Sequence, residues 1–283
     1  MSRNFGGLCR LLPEVTLVVI LIFAATVASA QTSLSPVAPA PAPSPSPTPR
    51  AKPSLERRFF TNILNDQRAI WTAPLHTRRS DVRFVAPIGL ATAALIATDR
   101  RTAGQVDSGG SLRPISRGFS QLGSAYATGG AAAAFYLVGR ARGDSRARET
   151  GLLSGEALIN SAIVVTALKA MSQRPRPLVD HASGEFFDGG NSFPSGHAIS
   201  AWSFATVVAC EYGERRPLVR LAAYGLATAV SLSRFSGRNH FLSDVLVGSA
   251  TGYGIGRFVY KRHHASAVDG ETVRTTMRGC RPF

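Results

Sequence analysis

A chain of 283 residues holds one large domain or two small ones, and its 32 basic against 17 acidic residues give a net charge of +15. That charge is spread along the chain with no aromatic–basic block, which argues against nucleic acid. It suits anionic lipid or phosphorylated substrates, or a background composition that favours Arg, since only Lys52, Lys169 and Lys261 are lysines. The three cysteines (Cys9, Cys210, Cys280) supply neither a disulfide framework nor metal-ligand spacing, and no Cys210–Cys280 pair is expected.

Residues 1–30 read as a secretory signal. Arg3 and Arg10 form the positive end, Leu17 to Val27 the apolar stretch, and Ala28-Ser29-Ala30 a small-residue cleavage site. An uncleaved anchor is the alternative. Residues 31–53 are a Pro-rich, Ser- and Ala-containing linker that cannot build a core. Ser54 is a plausible N-cap for an amphipathic helix carrying Leu55, Phe59, Phe60, Ile63 and Leu64, broken by Pro74. It lies either on a membrane surface or against the domain, so 54–83 is set apart as helix and connection.

Six apolar, Ala- and Gly-rich segments follow at roughly 84–98, 116–139, 151–171, 195–212, 217–234 and 241–260. Without short alternating runs or two-residue hairpin signals, they predict an all-α bundle of about six helices over 84–264, ahead of a polar tail at 265–283. Gly248, Gly252 and Gly256 recur every four residues in the last segment, a small-residue face against which a neighbouring helix packs closely. The Gly252-Tyr-Gly254-Ile-Gly256 run lacks the preceding strand and the spacing of a nucleotide loop. Membrane spans need about 20 apolar residues. The first segment offers only the stretch Phe84 to Thr98 with Pro87 inside, and the third carries Glu156 and Asn160. Basic loops sit on both would-be sides, against the one-sided bias of spanning proteins. The expectation leans away from six spans.

Three clusters carry chemistry. Asn191-Ser192-Phe193-Pro194-Ser195-Gly196-His197 opens the fourth segment, and a helix start with free backbone N–H groups attracts anions. It is either a phosphate site with a built-in proton donor or a capped helix with an incidental histidine. In Lys169-Ala-Met-Ser-Gln-Arg-Pro-Arg176-Pro177, the prolines hold Arg176 extended just past a helix end, with Lys169 about two turns back. The two cations either grip phosphate oxygens or complement the helix C-terminus. In Ser233-Arg234-Phe-Ser-Gly-Arg-Asn-His240-Phe-Leu-Ser-Asp244, the carboxylate four residues after His240 either fixes its tautomer or makes a structural hydrogen bond, and Arg234 adds a third cation. Three cations, a helix start and two histidines make an inventory for phosphoryl transfer through a phosphohistidine. No metal-ligand cluster is visible in the sequence, so no metal is expected.

In this order the three stretches resemble the signature of the type 2 phosphatidate phosphatase/haloperoxidase superfamily: Lys169 to Arg176-Pro177, Pro194-Ser195-Gly196-His197, and Ser233-Arg234 to His240 and Asp244. The likeness spans about 84–262. It implies a helical bundle with the site at its helix ends and a phosphatase acting on phosphorylated lipid or small phosphate esters. His240 would be the nucleophile, Asp244 its orienting partner, and His197 the acid for the leaving oxygen and then the base for water. Lys169, Arg176 and Arg234, with the N–H groups of Ser195 and Gly196, would hold the phosphoryl oxygens. The resemblance implies no cofactor; a vanadate-dependent haloperoxidase and a non-catalytic envelope module are the alternatives. Six spans after an exported N-terminus would turn the site to the cytoplasm, so the expectation is an exported domain docked on a membrane surface. Trp71 and Trp202 are expected to pack, and His76, His181, His263 and His264 to be solvated. The 178–192 loop either gates the site or merely connects.

Overall fold

The computed structural model describes residues 55–76, 79–105, 113–178 and 184–264. The expected leader, linker, polar tail and His181 lie outside the described residues. Among them there are eight α-helices and no strand: α1 (Leu55–Thr72), α2 (Arg79–Gln105), α3 (Arg113–Leu122), α4 (Ala125–Arg142), α5 (Ser145–Ser172), α6 (Gly196–Tyr212), α7 (Pro217–Ser236) and α8 (Leu242–His263). The all-α expectation stands. The segment expected at 116–139 is two helices, because the Ser124 side chain accepts the Ala127 N–H at 3.2 Å and caps a new start. Gly143, with φ of 68°, ends α4, and the Asp144 carboxylate takes the Arg146 and Ala147 N–H groups to begin α5.

The core lies between α5, α6 and α8, where Leu153, Ala157, Val207, Cys210, Ile255 and Val259 pack together. Cys210 is disulfide-bonded, although the sequence suggests no disulfide framework. The glycine stripe of α8 lets α6 approach. A Cβ on Gly252 would sit 2.4 Å from the Ile199 carbonyl oxygen, and Gly248 and Gly256 face Ser195 and Ser203 in the same way. This contact brings the starts of α6 and α8, and the residues just before them, together at one end of the bundle.

The opposite end is knitted by ion pairs between helices. Arg146 binds Glu211 at 2.7 Å, and His264 meets Glu149 at 3.0 Å while stacking on Tyr260. His263 lies 2.9 Å from Asp66. His263 and His264 are therefore buried rather than solvated, because each finds a carboxylate on a neighbouring helix. His76 is exposed, and Trp202 packs on Tyr224 as expected. Among the described residues two helices are long and apolar enough to cross a membrane: Asp81–Gln105, with mean hydropathy 1.4 and none of its most apolar stretch buried, and Ser145–Ser172. The first exceeds the dozen or so residues expected of it, since Pro87 lies inside the helix without ending it.

Candidate active site

Every predicted site residue lies at or beside the C-terminal ends of α5 and α7 or the N-terminal ends of α6 and α8. At the end of α5 the chain turns through Gln173, in the left-handed region with φ of 45°. It then runs extended through Arg174-Pro175-Arg176-Pro177, as the prolines predict. The returning strand of loop pairs with it: Gly190 N–H donates to Gln173 O at 2.8 Å and Ser192 N–H to Arg174 O at 2.7 Å. Gly190 is obligatory there, since a Cβ would fall 2.2 Å from the Arg174 carbonyl oxygen. Arg176 leans out and is held by Asn191, Nε to Oδ1 at 3.0 Å. The Phe193–Pro194 bond is cis, and α6 begins at once after Ser195.

The Ser195 N–H donates to the Asp244 carbonyl at 3.0 Å. It locks the start of α6 onto the start of α8, which corrects the expectation that this N–H faces phosphate. The amides of Gly196, His197 and Ala198, opening the helix, remain the ones without a helical acceptor. The Ser195 hydroxyl is buried with no partner.

His240 is held by the turn that ends α7, its N–H reaching the Arg234 carbonyl at 3.3 Å. It is 2% exposed and its Nδ1 lies 3.6 Å from Asp244 Oδ2. Ser192 bridges the two, with Oγ 3.3 Å from Nδ1 and a short hydrogen bond to the same carboxylate oxygen. With Asp244 ionised, the proton resides on Nδ1 and the Nε2 lone pair is free. Burial alone would raise Asp244, but the contact with His240 and the charge of Arg174 outweigh it and hold the carboxyl below its usual range. His240 is pushed down by burial, against the opposing pull of Asp244.

His197, at the start of α6, is lowered to about 4, by burial first and then by the positive charges of Arg234, His240, Lys169 and Arg176. These four groups therefore lie within electrostatic reach of His197. Arg234 is lowered to about 10 by burial and by Arg176, so it stays charged. It donates to Ser120 of α3, while its Nε is buried without a partner. A polar cavity of about 270 Å³ opens beside it, lined by Ser120, Gln121, Ser233 and Asn239 among others. An apolar groove of about 130 Å³ runs between α4, α6 and α7. Its near end is marked by Ala201, one turn after His197, and Val230, one turn before Arg234.

The sequence reading missed what stands behind Asp244. Arg174 is fully buried. Its Nη1 meets Asp244 Oδ1 at 2.7 Å and Ser243 Oγ at 2.7 Å, its Nη2 meets Asp99 Oδ2 at 2.9 Å, and its Nε donates to the Gly184 carbonyl at 3.0 Å. Phe241 and Phe186 carry the guanidinium on their ring faces, at 4.1 and 4.8 Å. Asp99, near the end of α2, also accepts from Ser243 N–H and hydroxyl. Arg174 was in plain view two residues before Arg176, and Ser192 inside the opening stretch. Asp99 had no local signal, being 145 positions from Asp244.

Residues 150–267 match the family model described as the PAP2 superfamily. Over 70 residues the chain is 41% identical to a lipid A 1-phosphatase of Porphyromonas gingivalis. The match covers 25% of this chain and only 16% of the length of that relative. Two crystal structures are similar at low score. One is LpxE of Aquifex aeolicus, with TM-score 0.42 and 23% identity over 53% of this chain and 86% of that one. The other is a transmembrane PAP2 type phosphatidylglycerolphosphate phosphatase of Bacillus subtilis, with TM-score 0.47 and 20% identity over 76% of this chain and 98% of that one.

Proposed function

We propose that this protein is a phosphatase that removes a phosphoryl group from a phosphorylated lipid by way of a phosphohistidine at His240. The reading is carried by the placement of His240, His197, Lys169, Arg176 and Arg234 at or beside helix ends at one end of the bundle, with Asp244 and Ser192 against His240 Nδ1. Three of these are Lys or Arg cations, and among the described residues the carboxylate against His240 is Asp244, on its Nδ1 side. A phosphate dianion supplies the missing negative charge.

His240 Nε2 attacks phosphorus as the bond to the leaving oxygen breaks, and that oxygen takes the His197 proton. Free His197 is neutral at pH 7, but the bound phosphate's charge offsets the surrounding cations and raises its proton affinity. Neutral again after the first step, His197 takes a proton from water, whose oxygen attacks phosphorus and releases His240 and inorganic phosphate. Lys169, Arg176, Arg234 and the amides opening α6 stabilise the negative charge on the equatorial oxygens. Each role is filled by a group of the chain itself, so the reading calls for no cofactor.

The apolar groove beside His197 favours a lipid over a small soluble ester, because it gives an acyl chain an apolar path from the reacting centre. Membrane association follows from α2, whose Val82, Phe84, Val85, Ile88 and Leu90 are exposed. In place of surface docking, α2 inserts, and the leader expected at 1–30 exports the site. Assaying purified protein against a panel of lipid and soluble phosphates tests the substrate class. Lipid phosphates are expected to give kcat/KM at least tenfold above p-nitrophenyl phosphate, and equal values would remove the lipid assignment. Carbonate-washed membranes should retain the protein in the pellet; release to the supernatant would restore docking.

A further inference from the structure

At the end of the bundle far from the phosphate site, three helices bring together Asp66 (α1), Glu156 (α5) and His263 (α8), all buried. His263 lies 19 positions along α8 from Asp244, about 28 Å at 1.5 Å per residue. One ligand atom from each of the three lies within 4.8 Å of the others. His263 Nε2 is 2.9 Å from Asp66 Oδ2 and 3.9 Å from Glu156 Oε2. Glu156 is 0% exposed, and its Oε2, aimed at this space, has no hydrogen-bond partner. A carboxylate oxygen left bare in the interior is costly and calls for a counter-charge.

The surrounding groups orient the two carboxylates in the manner of a metal site's outer ring. Asn62 Nδ2 donates to Glu156 Oε1 at 2.9 Å, which leaves Oε2 turned to the centre. Asn160 Nδ2 donates to Asp66 Oδ2 at 3.3 Å, and Gln67 holds Asn160 by its Oδ1 at 2.8 Å. Arg262 stands 3.5 Å from the other Asp66 oxygen, so one carboxylate is neutralised in part and the second is not.

We infer that Asp66 Oδ2, Glu156 Oε2 and His263 Nε2 form a structural site for a divalent transition-metal ion of the zinc class. Bonds to such an ion run about 2.0–2.2 Å, so the three atoms need only small shifts to surround it. One imidazole with two carboxylates suits zinc, whereas magnesium prefers oxygen ligands and retains several waters. Binding displaces any proton on Glu156 Oε2 or His263 Nε2 and ties α1 to α5 and α8. The ion lies too far from His240 to enter the reaction, so its role is to fasten the N-terminal helix to the bundle.

The test uses the full-length protein, stripped with chelator, incubated with ZnCl2, desalted, and measured by metal analysis and thermal unfolding. One zinc per chain is expected, with a higher Tm than the stripped protein. In Glu156→Gln, affinity should fall roughly tenfold or more and the Tm gain should vanish, while magnesium gives no shift in either protein. His240→Gln should keep the zinc, because its ligands are at the other end. No retained zinc in the wild-type protein overturns the site. So does zinc that survives Glu156→Gln and is lost from His240→Gln, which would place it at the phosphate site instead. Should Glu156→Gln fail to fold, the wild-type stoichiometry and His240→Gln still decide. Phosphatase activity with and without chelator is read in parallel, so failure of the metal site and failure of the phosphatase reading are separate results.

Discussion

The two ends of the helical bundle handle buried charge in opposite ways. At the far end, Arg146, Glu211, Glu149, His264, Asp66 and His263 meet partners of opposite sign. At the near end Arg234 and Lys169 crowd one another and His197, and Asp244 is already shared between Arg174 and His240. Paired charges at the far end hold helices together, with Glu156 Oε2, which has no hydrogen-bond partner, the exception. Unpaired cations at the near end store a demand for an anion, and the fold supports that strain through the Asp99–Arg174–Asp244 chain behind it. A buried pair is weak evidence of stability in itself, yet removing one partner is costly.

The largest effect should come from the group that reacts. His240→Ala is expected to lower kcat by roughly 10⁴-fold or more with little change in Tm, as measured by steady-state kinetics and thermal unfolding; full activity would end the nucleophile assignment. Next is Arg174→Ala, which leaves Asp99 and Asp244 buried without their common cation. Urea unfolding should show a loss of about 3–5 kcal/mol, and activity should fall because Asp244 no longer orients His240. If stability is unchanged, the support assigned to this chain of charges is wrong.

Arg234→Ala separates the ends most sharply. It should cost about 10²–10³-fold in kcat/KM and, by removing the leading charge that depresses His197, move the alkaline limb of the kcat/KM profile to higher pH. The corresponding stability effect has a defined sign. Below about pH 6.5 an unfolded imidazole takes up a proton that folded His197 refuses until about 4. Stability contributed by neutral His197 is therefore lost as pH falls across that window. Tm measured from pH 7 to 4 should fall more steeply in the wild type than in His197→Asn, and parallel curves would contradict the depressed value. A smaller loss, about 1–3 kcal/mol, is expected for Gly252→Ala, whose added Cβ meets the Ile199 carbonyl in mid-bundle. Its pH profile should match the wild type, since no charge is altered.

Much of the near end was legible in sequence because its parts are local. Proline-bracketed Arg176, the turn into α6 and the His240–Asp244 spacing each declare themselves within a few residues. The glycine stripe on α8 likewise announced the close approach of α6. What stayed hidden depends on contacts across long separations. Asp99 meets Arg174 and Ser243, Asp66 meets His263 across 197 positions, and the Ser195 N–H turns to the Asp244 carbonyl. The division of 113–142 into two helices was missed because Ser124 is an ordinary residue until its side chain caps a turn. The length of α2 was underread because only the apolar stretch Phe84 to Thr98 was counted, whereas the helix continues into the polar residues on either side, Arg79–Gln105.

The most direct test of the account is to trap the intermediate. Labelled p-nitrophenyl phosphate has a leaving group that needs little protonation, so His197→Ala should still form the phosphoenzyme but fail to activate water. Rapid alkaline quenching and peptide mapping should find acid-labile phosphate on His240, more abundant in His197→Ala than in the wild type and absent from His240→Ala. Turnover with no label on His240, or label that persists in His240→Ala, would contradict it.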